Sequence, residues 1–314
     1  MISSVPPHLI QDLESKLQGS VEQDASLSGF TTFRVGGKAE VLVRAESEDD
    51  LSAVARAVGS SEVPIHILGR GSNVLISDHG LEGVVIRLKG GFDWIRDEDT
   101  TISAGGLTSF PKVANKAWRL GLSGLEFCVA IPATVGGAVK MNAGAHGSSV
   151  SDVLGSARIF RFASADVVEM DREDLDMRYR QTSLGATDIV CSAMFQLTAG
   201  DRDEIAGRMA GYRQHRTDTQ PVDLPNAGST FRNPEGATAG ELIEASGLKG
   251  LRVGGAHVSE KHANFFVADN GAKAQDVYDL IVRVQEAVLR DHGVTLVPEV
   301  HPMGRFDSSP FLDR

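Results

Sequence analysis

Cysteine is scarce in this chain of 314 residues, which contains only Cys128 and Cys191. Two cysteines exclude a framework of several disulfides, and they lack the paired spacing of a zinc site. The sequence therefore predicts no metal site. Such sparing use of cysteine is typical of proteins in a reducing compartment, and we expect a cytoplasmic protein.

Long apolar runs and basic charge are lacking as well. No apolar stretch reaches the roughly 18 residues of a membrane span, and residues 1–7 lack the pattern of a signal peptide. The formal net charge is −11, whereas binding to nucleic acid or to an anionic membrane requires a basic surface. We expect no nucleic-acid partner and no membrane insertion.

Glycine, by contrast, is abundant. It supplies 34 of the 314 residues, above the usual share of roughly 7%. The glycines collect around residues 69–71, 105–106, 136–147 and 247–255. Glycine is used where the backbone needs a positive φ or must approach another group closely. The clustering indicates shaped loops around a ligand.

The apolar pattern predicts two styles of fold in the first two-thirds of the chain. Residues 39–45, 48–58 and 64–68 form a strand–helix–strand pattern, which is typical of a small α/β unit. From about residue 84, short strands separated by turns predict a mainly antiparallel unit.

The last third is predicted to open with a helix over residues 202–214 and to close with a helix over 273–291. The second helix has apolar residues at the spacing of one helical face, namely Val277, Leu280, Ile281, Val284 and Val288. Basic residues at the end of the first helix, including Arg216, either complement the helix C-terminus or attract phosphate groups.

Residues 69–73 (GRGSN) follow a predicted strand. A dinucleotide fingerprint has Gly or Ala at its sixth position, whereas this chain has Val74 there, followed by an extended pattern. We therefore expect no nicotinamide-type Rossmann site. Two interpretations stay open, a tight turn between strands and a turn whose backbone N–H groups bind a diphosphate.

Four further segments, residues 131–147, 179–183, 226–234 and 296–300, read IPATVGGAVKMNAGAHG, YRQTS, NAGSTFRNP and LVPEV. Together and in this order they resemble the MurB family, in its shorter type without extra insertions. That family comprises flavin-dependent UDP-N-acetylenolpyruvoylglucosamine reductases of bacterial cell-wall synthesis. The resemblance extends from about Gly29 to Gly304.

The resemblance implies a mixed α+β (α/β) fold. An FAD-binding unit of the vanillyl-alcohol-oxidase-like (PCMH-type) fold would comprise two subdomains, residues 1–85 and 86–200. A C-terminal MurB-type domain, residues 201–314, would bind the UDP-sugar substrate. FAD is expected to bind without a covalent link, with NADPH as co-substrate, in a monomer or weak oligomer.

The resemblance also implies the site residues. The FAD contacts are expected from glycine-rich turns and their neighbours, namely Gly69, Arg70, Gly71, Ser72, Asn73, Gly105, Ile131, Pro132, Thr134, Gly136, Gly137, Asn142, Ala143 and Gly144. Arg180, Ser229 and Glu299 are the expected catalytic residues. Substrate contacts are expected from Arg180 together with Arg216, Arg232 and Asn233.

The resemblance implies a role for each of these residues, and the chemistry of the side chains is compatible with it. A planar guanidinium such as that of Arg180 holds a carboxylate through two parallel hydrogen bonds. Ser229 would protonate the substrate carbon, although a free hydroxyl is too weak an acid without assistance. Taken alone, Arg180 and Glu299 are also compatible with surface charges, and Ser229 with an ordinary turn residue.

Two other functions stay open. A flavin oxidase of the same cofactor fold would keep residues 69–73 and 131–147, but it has no reason to carry residues 226–234 and 296–300. A non-catalytic nucleotide-sugar binder is the second alternative. Two departures from the family pattern bear on it. The family usually has Gly-Ser or a similar small pair where this chain has Ala133-Thr134, and an aromatic residue at the position of Lys140.

Overall fold

The computed structural model describes residues 5–59, 61–307 and 311–312. The chain divides into two compact units. The first unit comprises Met1–Gln23, Glu40–Arg70 and Glu82–His215, and the second comprises Asp24–Ala39, Gly71–Leu81 and Arg216–Arg314. The three-part division at residues 85 and 200 stays a prediction. In the described ranges no helix has the length and apolarity to cross a membrane.

The helices are α1 (Pro7–Lys16), α2 (Glu48–Val58), α3 (Phe110–Leu120), α4 (Val135–Lys140), α5 (Arg202–Thr219), α6 (Ala239–Ala245) and α7 (Ala274–His292). The strands are β1 (Ser20–Ser26), β2 (Lys38–Ala45), β3 (Ile65–Ile67), β4 (Val74–Ile76), β5 (Leu81–Leu88), β6 (Ile95–Glu98), β7 (Thr101–Gly105), β8 (Leu122–Ser123), β9 (Gly144–Ala145), β10 (Ser148–Ser149), β11 (Leu154–Arg161), β12 (Asp166–Asp171), β13 (Ile189–Gln196), β14 (Thr198–Ala199), β15 (Arg252–Val253), β16 (Ala256–Val258), β17 (Phe266–Ala268) and β18 (His301–Met303).

A four-stranded sheet in the order β1-β2-β5-β3 confirms the predicted strand–helix–strand pattern. β3 and β5 are parallel. The helix between β2 and β3, α2, begins after Ser47, whose hydroxyl accepts a hydrogen bond from the Asp50 N–H group at 3.1 Å. Such a cap satisfies one of the backbone donors left open at a helix N-terminus.

A five-stranded sheet in the order β12-β11-β13-β7-β6 forms the rest of the first unit's framework. Each neighbouring pair in it is antiparallel, as the sequence predicts. Apolar side chains of this sheet pack with those of α3 and α4 in one buried cluster, which includes Ile102, Phe110, Val135, Ile159 and Phe195. The short helix α4 therefore lies in a fixed position beside the sheet.

The second unit is organised around α7. The five apolar residues of its predicted face, Val277, Leu280, Ile281, Val284 and Val288, are all fully buried. They share a cluster with side chains of the small antiparallel sheet β15-β16-β17. In the same unit β4 and β18 form a parallel pair.

Gln285 is a fully buried polar residue within this apolar helix. Its Nε2 atom donates hydrogen bonds to the carbonyl oxygens of Leu296 at 2.7 Å and Leu312 at 3.3 Å. Its Oε1 atom accepts one from the Leu312 N–H group at 3.2 Å. The amide thus satisfies backbone groups of two segments that pack on α7.

We expect Gln285→Ala to lower the free energy of unfolding by about 1–3 kcal/mol, because buried backbone groups lose their partners. Urea denaturation followed by fluorescence measures this loss. The matched control is Glu286→Ala, which removes an exposed side chain of the same helix. Equal midpoints for the two variants would contradict the assigned role of Gln285.

Candidate functional site

The loop of residues 69–73 has main-chain N–H groups that make no hydrogen bond within the described ranges. Gly71 has a φ of +68°, and a Cβ atom on it would overlap the carbonyl oxygen of Phe30. Glycine is therefore required there by a close approach of two backbone segments. Successive backbone N–H groups in a turn can bind an anion. Binding of the FAD diphosphate by this loop stays a prediction.

Asn73 ends this loop, and its side chain serves another segment. Its Nδ2 atom donates a hydrogen bond to the carbonyl oxygen of Glu299 at 3.0 Å. Its own carbonyl oxygen accepts one from the His301 N–H group at 3.0 Å. Within the second unit, the end of the glycine loop is thus joined to the backbone of a predicted catalytic residue.

The glycines of residues 131–144 include one that permits close packing. In the first unit, a Cβ atom on Gly136 would lie only 3.0 Å from the carbonyl oxygen of Gly106. The strand-ending Gly105 is similar, since its Cβ atom would overlap the carbonyl oxygen of Phe92. Close packing against neighbouring backbone explains both glycines, and their contact with FAD stays a prediction.

Thr134 begins α4 as its N-cap. Its hydroxyl accepts a hydrogen bond from the Gly137 N–H group at 3.2 Å. The N–H groups of Ala133, Val135 and Gly136 donate to carbonyl oxygens of the first unit. These three backbone donors are therefore used inside the first unit. FAD contacts of Ile131, Pro132, Thr134, Gly137 and Ala143 stay predictions.

Lys140 occupies the position where the resembled family usually has an aromatic residue. Its Nζ atom donates to the carbonyl oxygens of Gly185 and Ala186, each at 2.9 Å, and of Asp188 at 3.1 Å. Burial lowers the pKa of the ammonium group, and the Asp188 charge opposes that shift. Its own carbonyl oxygen accepts a hydrogen bond from the Thr182 hydroxyl at 2.9 Å. Lys140 thus connects α4 to the segment that follows Arg180.

Asn142 is a buried residue whose side chain is used inside the first unit. Its Nδ2 atom donates to the carbonyl oxygen of Arg178 at 2.9 Å. Its Oδ1 atom accepts a hydrogen bond from the Ser151 N–H group at 3.0 Å. The side-chain amide of Asn142 is therefore used within the protein, which the sequence does not indicate. An FAD contact of Asn142 stays a prediction.

Arg180 lies in a tight turn in the first unit. Arg178 and Gln181 close the turn through two backbone hydrogen bonds, at 2.9 and 3.1 Å. Arg180 has a φ of +57° at the third position of the turn, where type II turns favour glycine. A non-glycine residue in that region costs about 1–3 kcal/mol of backbone strain. The surrounding structure must hold the turn in place.

The guanidinium group of Arg180 is held as well. Its Nη2 atom donates a hydrogen bond to the carbonyl oxygen of Gly144 at 2.8 Å. The guanidinium carbon lies 5.0 Å from the centre of the Tyr179 ring, within the range of a cation–π interaction. The side chain is half-buried. Its burial and its contacts distinguish Arg180 from an arginine that only carries charge at the surface.

Ser229 and Glu299 lie on neighbouring segments of the second unit. The Glu299 N–H group donates to the carbonyl oxygen of Thr230 at 2.7 Å, and the Arg232 N–H group donates to that of Val297 at 2.9 Å. An isolated antiparallel β-bridge also joins Phe231 to Pro298. The structure thus brings together the Asn-Ala-Gly-Ser and Val-Pro-Glu segments, which are far apart in sequence.

Asn264 is the residue of this region that the sequence analysis missed. It is 3% exposed, and its Oδ1 and Nδ2 atoms pair with the Phe231 N–H group at 2.9 Å and the Phe231 carbonyl oxygen at 2.8 Å. Its own carbonyl oxygen accepts a hydrogen bond from the Thr230 N–H group at 2.8 Å. No motif around Asn264 indicates this two-pronged contact with Phe231, two residues after Ser229.

The other predicted substrate contacts, Asn233, Arg232 and Arg216, differ in burial and in hydrogen bonding. The Asn233 Oδ1 atom accepts a hydrogen bond from the Ala239 N–H group at 3.1 Å, at the start of α6. The Nε atom of Arg232 is buried and makes no hydrogen bond within the described ranges. Arg216 is half-buried in the last turn of α5. Earlier in the same helix, Arg208 forms an ion pair with Glu126 at 2.7 Å.

Comparisons with known proteins agree on one family. The family model of the UDP-N-acetylenolpyruvoylglucosamine reductase C-terminal domain matches residues 220–303, and that of an FAD binding domain matches residues 39–171. The predicted combination of an FAD-binding unit with a MurB-type C-terminal domain is confirmed. In the described ranges no cluster of His, Cys, Asp or Glu side chains could hold a metal ion.

Similar proteins bear the same name. UDP-N-acetylenolpyruvoylglucosamine reductase 2 of Symbiobacterium thermophilum is 42% identical over 91% of this chain and 93% of its own length. The reductase of Bacillus subtilis is 39% identical, covering 94% of this chain and 98% of its own. The crystal structure of the Thermus caldophilus reductase (MurB) has a TM-score of 0.80 and 38% identity, over 91% of this chain and 100% of that chain. The chain therefore belongs to the MurB family of UDP-N-acetylenolpyruvoylglucosamine reductases.

Proposed function

We propose that this chain reduces UDP-N-acetylenolpyruvoylglucosamine to UDP-N-acetylmuramate, using non-covalently bound FAD and NADPH. The observation that carries the proposal is the pairing of the Ser229 and Glu299 segments in the second unit, through the 2.7 Å hydrogen bond between Glu299 and Thr230. A flavin oxidase has no need for these two segments. A cytoplasmic location and a monomeric or weakly oligomeric state are part of the same proposal.

The residues of the chain fit the cofactor. We assign the diphosphate of FAD to the N–H groups of residues 69–73, which have no partner in the described ranges. The small side chains of residues 131–144 would lie against the flavin. When bound, FAD supplies hydride transfer, and the protein supplies orientation and electrostatics.

Arg180 is assigned to the enolpyruvyl carboxylate. Its planar guanidinium can bind both carboxylate oxygens, and the same charge stabilises negative charge that develops there when the methylene carbon receives hydride. The strained turn supports this assignment, because strain of this kind persists where the surrounding structure over-determines a functional residue.

Ser229 is assigned to the proton. Its hydroxyl would donate a proton to the substrate carbon next to the methylene, and the serine would then regain a proton from its surroundings. A hydroxyl is a weak acid, so it requires nearby positive charge or a proton network. Arg232 and Glu299 are the candidates for this assistance, because they lie on the two paired segments.

Flavin release tests the mode of cofactor binding. Cys128 and Cys191 are buried, and burial raises the pKa of Cys128 well above its usual value and that of Cys191 to about 12. Neither thiol is therefore available as a nucleophile toward flavin. We expect acid precipitation of the yellow holoenzyme to leave the flavin in the supernatant. Flavin that stays with the precipitate would favour a covalent oxidase, and a protein that binds no FAD would contradict the proposal.

Arg180→Lys tests the carboxylate contact. The variant keeps the charge but loses the planar two-pronged geometry, so we expect the substrate half-reaction to slow by about 10²-fold or more. Reduction of the flavin by NADPH should keep its rate. The control is Arg178→Lys, at an exposed arginine of the same turn that pairs with Asp176. Near-normal turnover in Arg180→Lys would return the residue to the surface-charge interpretation.

Ser229→Ala separates the two half-reactions. Hydride transfer from NADPH needs no proton from serine, so flavin reduction should keep its rate in anaerobic stopped-flow measurements. Reoxidation by UDP-N-acetylenolpyruvoylglucosamine should slow by roughly 10²- to 10⁴-fold, the usual contribution of a general acid. Ser246→Ala, in the same unit, is the control and should change neither rate. Equal slowing of both half-reactions in Ser229→Ala would assign the serine to positioning instead.

A further inference from the structure

Asn142 lies where the glycine-rich segment meets the turn that carries Arg180. It is 4% exposed and has a φ of +40°, in the left-handed region. Asparagine tolerates this backbone better than most residues, but glycine would tolerate it best. The presence of an asparagine therefore points to a use for its side-chain amide.

The amide is fully engaged within the first unit. Its Oδ1 atom accepts from the Ser151 N–H group at 3.0 Å. Its Nδ2 atom donates to the carbonyl oxygen of Arg178 at 2.9 Å, and to the Ser151 hydroxyl at 3.4 Å. With the acceptor and the donors used in this way, the side chain is directed at the protein rather than at a ligand.

The Arg178 carbonyl oxygen is the anchor of the Arg180 turn. The same oxygen accepts the closing hydrogen bond from the Gln181 N–H group at 3.1 Å. Asn142 thus holds the backbone at the first residue of the turn, in which Arg180 has a φ of +57°. Loss of this hydrogen bond would remove one contact that offsets the strain of the left-handed backbone at Arg180.

A second contact starts two residues further along the same segment. The carbonyl oxygen of Gly144 accepts a hydrogen bond from the Arg180 Nη2 atom at 2.8 Å. The turn backbone is therefore tied to residue 142, and the guanidinium tip to residue 144. These two contacts with residues 142 and 144 hold both the backbone of the turn and the guanidinium group of Arg180.

We propose that Asn142 is a positioning residue for Arg180, and that its bond to the Arg178 carbonyl orients the guanidinium toward a substrate carboxylate. The inference rests on the proposed function, because it takes Arg180 as the group that binds the carboxylate. It assigns to Asn142 a role in substrate handling instead of the FAD contact that the sequence predicts.

The test uses two substitutions in the holoenzyme. Asn142→Gly removes the amide and is compatible with the positive φ. Asn142→Asp keeps an acceptor for the Ser151 N–H group but loses the donor to the Arg178 carbonyl. Both should retain the flavin absorption spectrum and the rate of flavin reduction by NADPH. Both should slow reoxidation by the enolpyruvyl substrate, on the order of 10²-fold, as a misplaced binding group does.

A double-mutant cycle with Arg180→Lys gives the decisive comparison. If Asn142 acts through Arg180, adding Asn142→Gly to Arg180→Lys should change the substrate half-reaction by no more than about twofold, because the two changes remove one interaction. A full additional loss in the double variant would overturn the proposal. The control is Asn115→Ala, at an asparagine of the same unit that bonds Pro111 in its own helix, and it should leave both half-reactions unchanged.

Equilibrium binding supplies a measurement that does not depend on turnover. UDP-N-acetylmuramate carries the carboxylate, whereas UDP-N-acetylglucosamine lacks it. Calorimetry with the holoenzyme should show that Asn142→Gly weakens binding of the first ligand about tenfold or more, as expected when a contact to a charged group is lost, and leaves the second unchanged. A loss of flavin from the variant, or equal weakening of both ligands, would overturn the positioning role.

The same measurements distinguish a failure of the proposed function from a failure of the positioning role of Asn142. An unsubstituted protein that neither turns over the enolpyruvyl substrate nor prefers the carboxylate-bearing ligand would contradict the proposed function itself. An active protein in which Asn142→Gly and Asn142→Asp behave like the parent would contradict the positioning role alone.

Discussion

Hydrogen bonds between residues 140–144 and residues 178–188 are the constraint on which the first unit's site depends. Lys140 binds three carbonyl oxygens of the second segment, Asn142 binds the start of the Arg180 turn, and Gly144 accepts from the guanidinium itself. α4 is in turn packed in the core beside the five-stranded sheet. Arg180 lies in a strained turn outside the sheet. Its position nevertheless depends on the sheet, because α4 packs on the sheet and residues 140–144 bind the segment that contains Arg180.

Asparagine side chains perform a similar task at three places. Asn142 holds the backbone of the Arg180 turn. Asn264 holds that of Phe231, two residues after Ser229, and Asn73 holds the carbonyl oxygen of Glu299. An asparagine side chain is short and carries both a hydrogen-bond donor and an acceptor. It can therefore bind backbone N–H and C=O groups that no helix or sheet partner satisfies. Each predicted catalytic residue thus lies within two residues of a backbone group that an asparagine side chain binds.

The periodic elements could be predicted because their causes are local. The apolar face of α7 follows from the spacing of Val277, Leu280 and Val284, and the start of α2 follows from a serine cap. The use of Lys140 could not be predicted. The three carbonyl oxygens that accept its hydrogen bonds belong to residues 185–188, more than forty residues further along the chain. No local sequence pattern predicts that a lysine ammonium group will bind such distant backbone carbonyls.

The sequence by itself determined the family, the FAD-binding and C-terminal parts, and the residue types expected at the site, because these follow from ordered motifs and from periodic burial. The tertiary structure alone decided which side chains of those motifs are used internally. The amides of Asn73 and Asn142 stand in segments that predict cofactor contacts, yet both bond to distant backbone. The physical reason is that a buried carbonyl or N–H group needs a partner wherever the fold leaves one open, and the fold creates that need only after distant segments have come together.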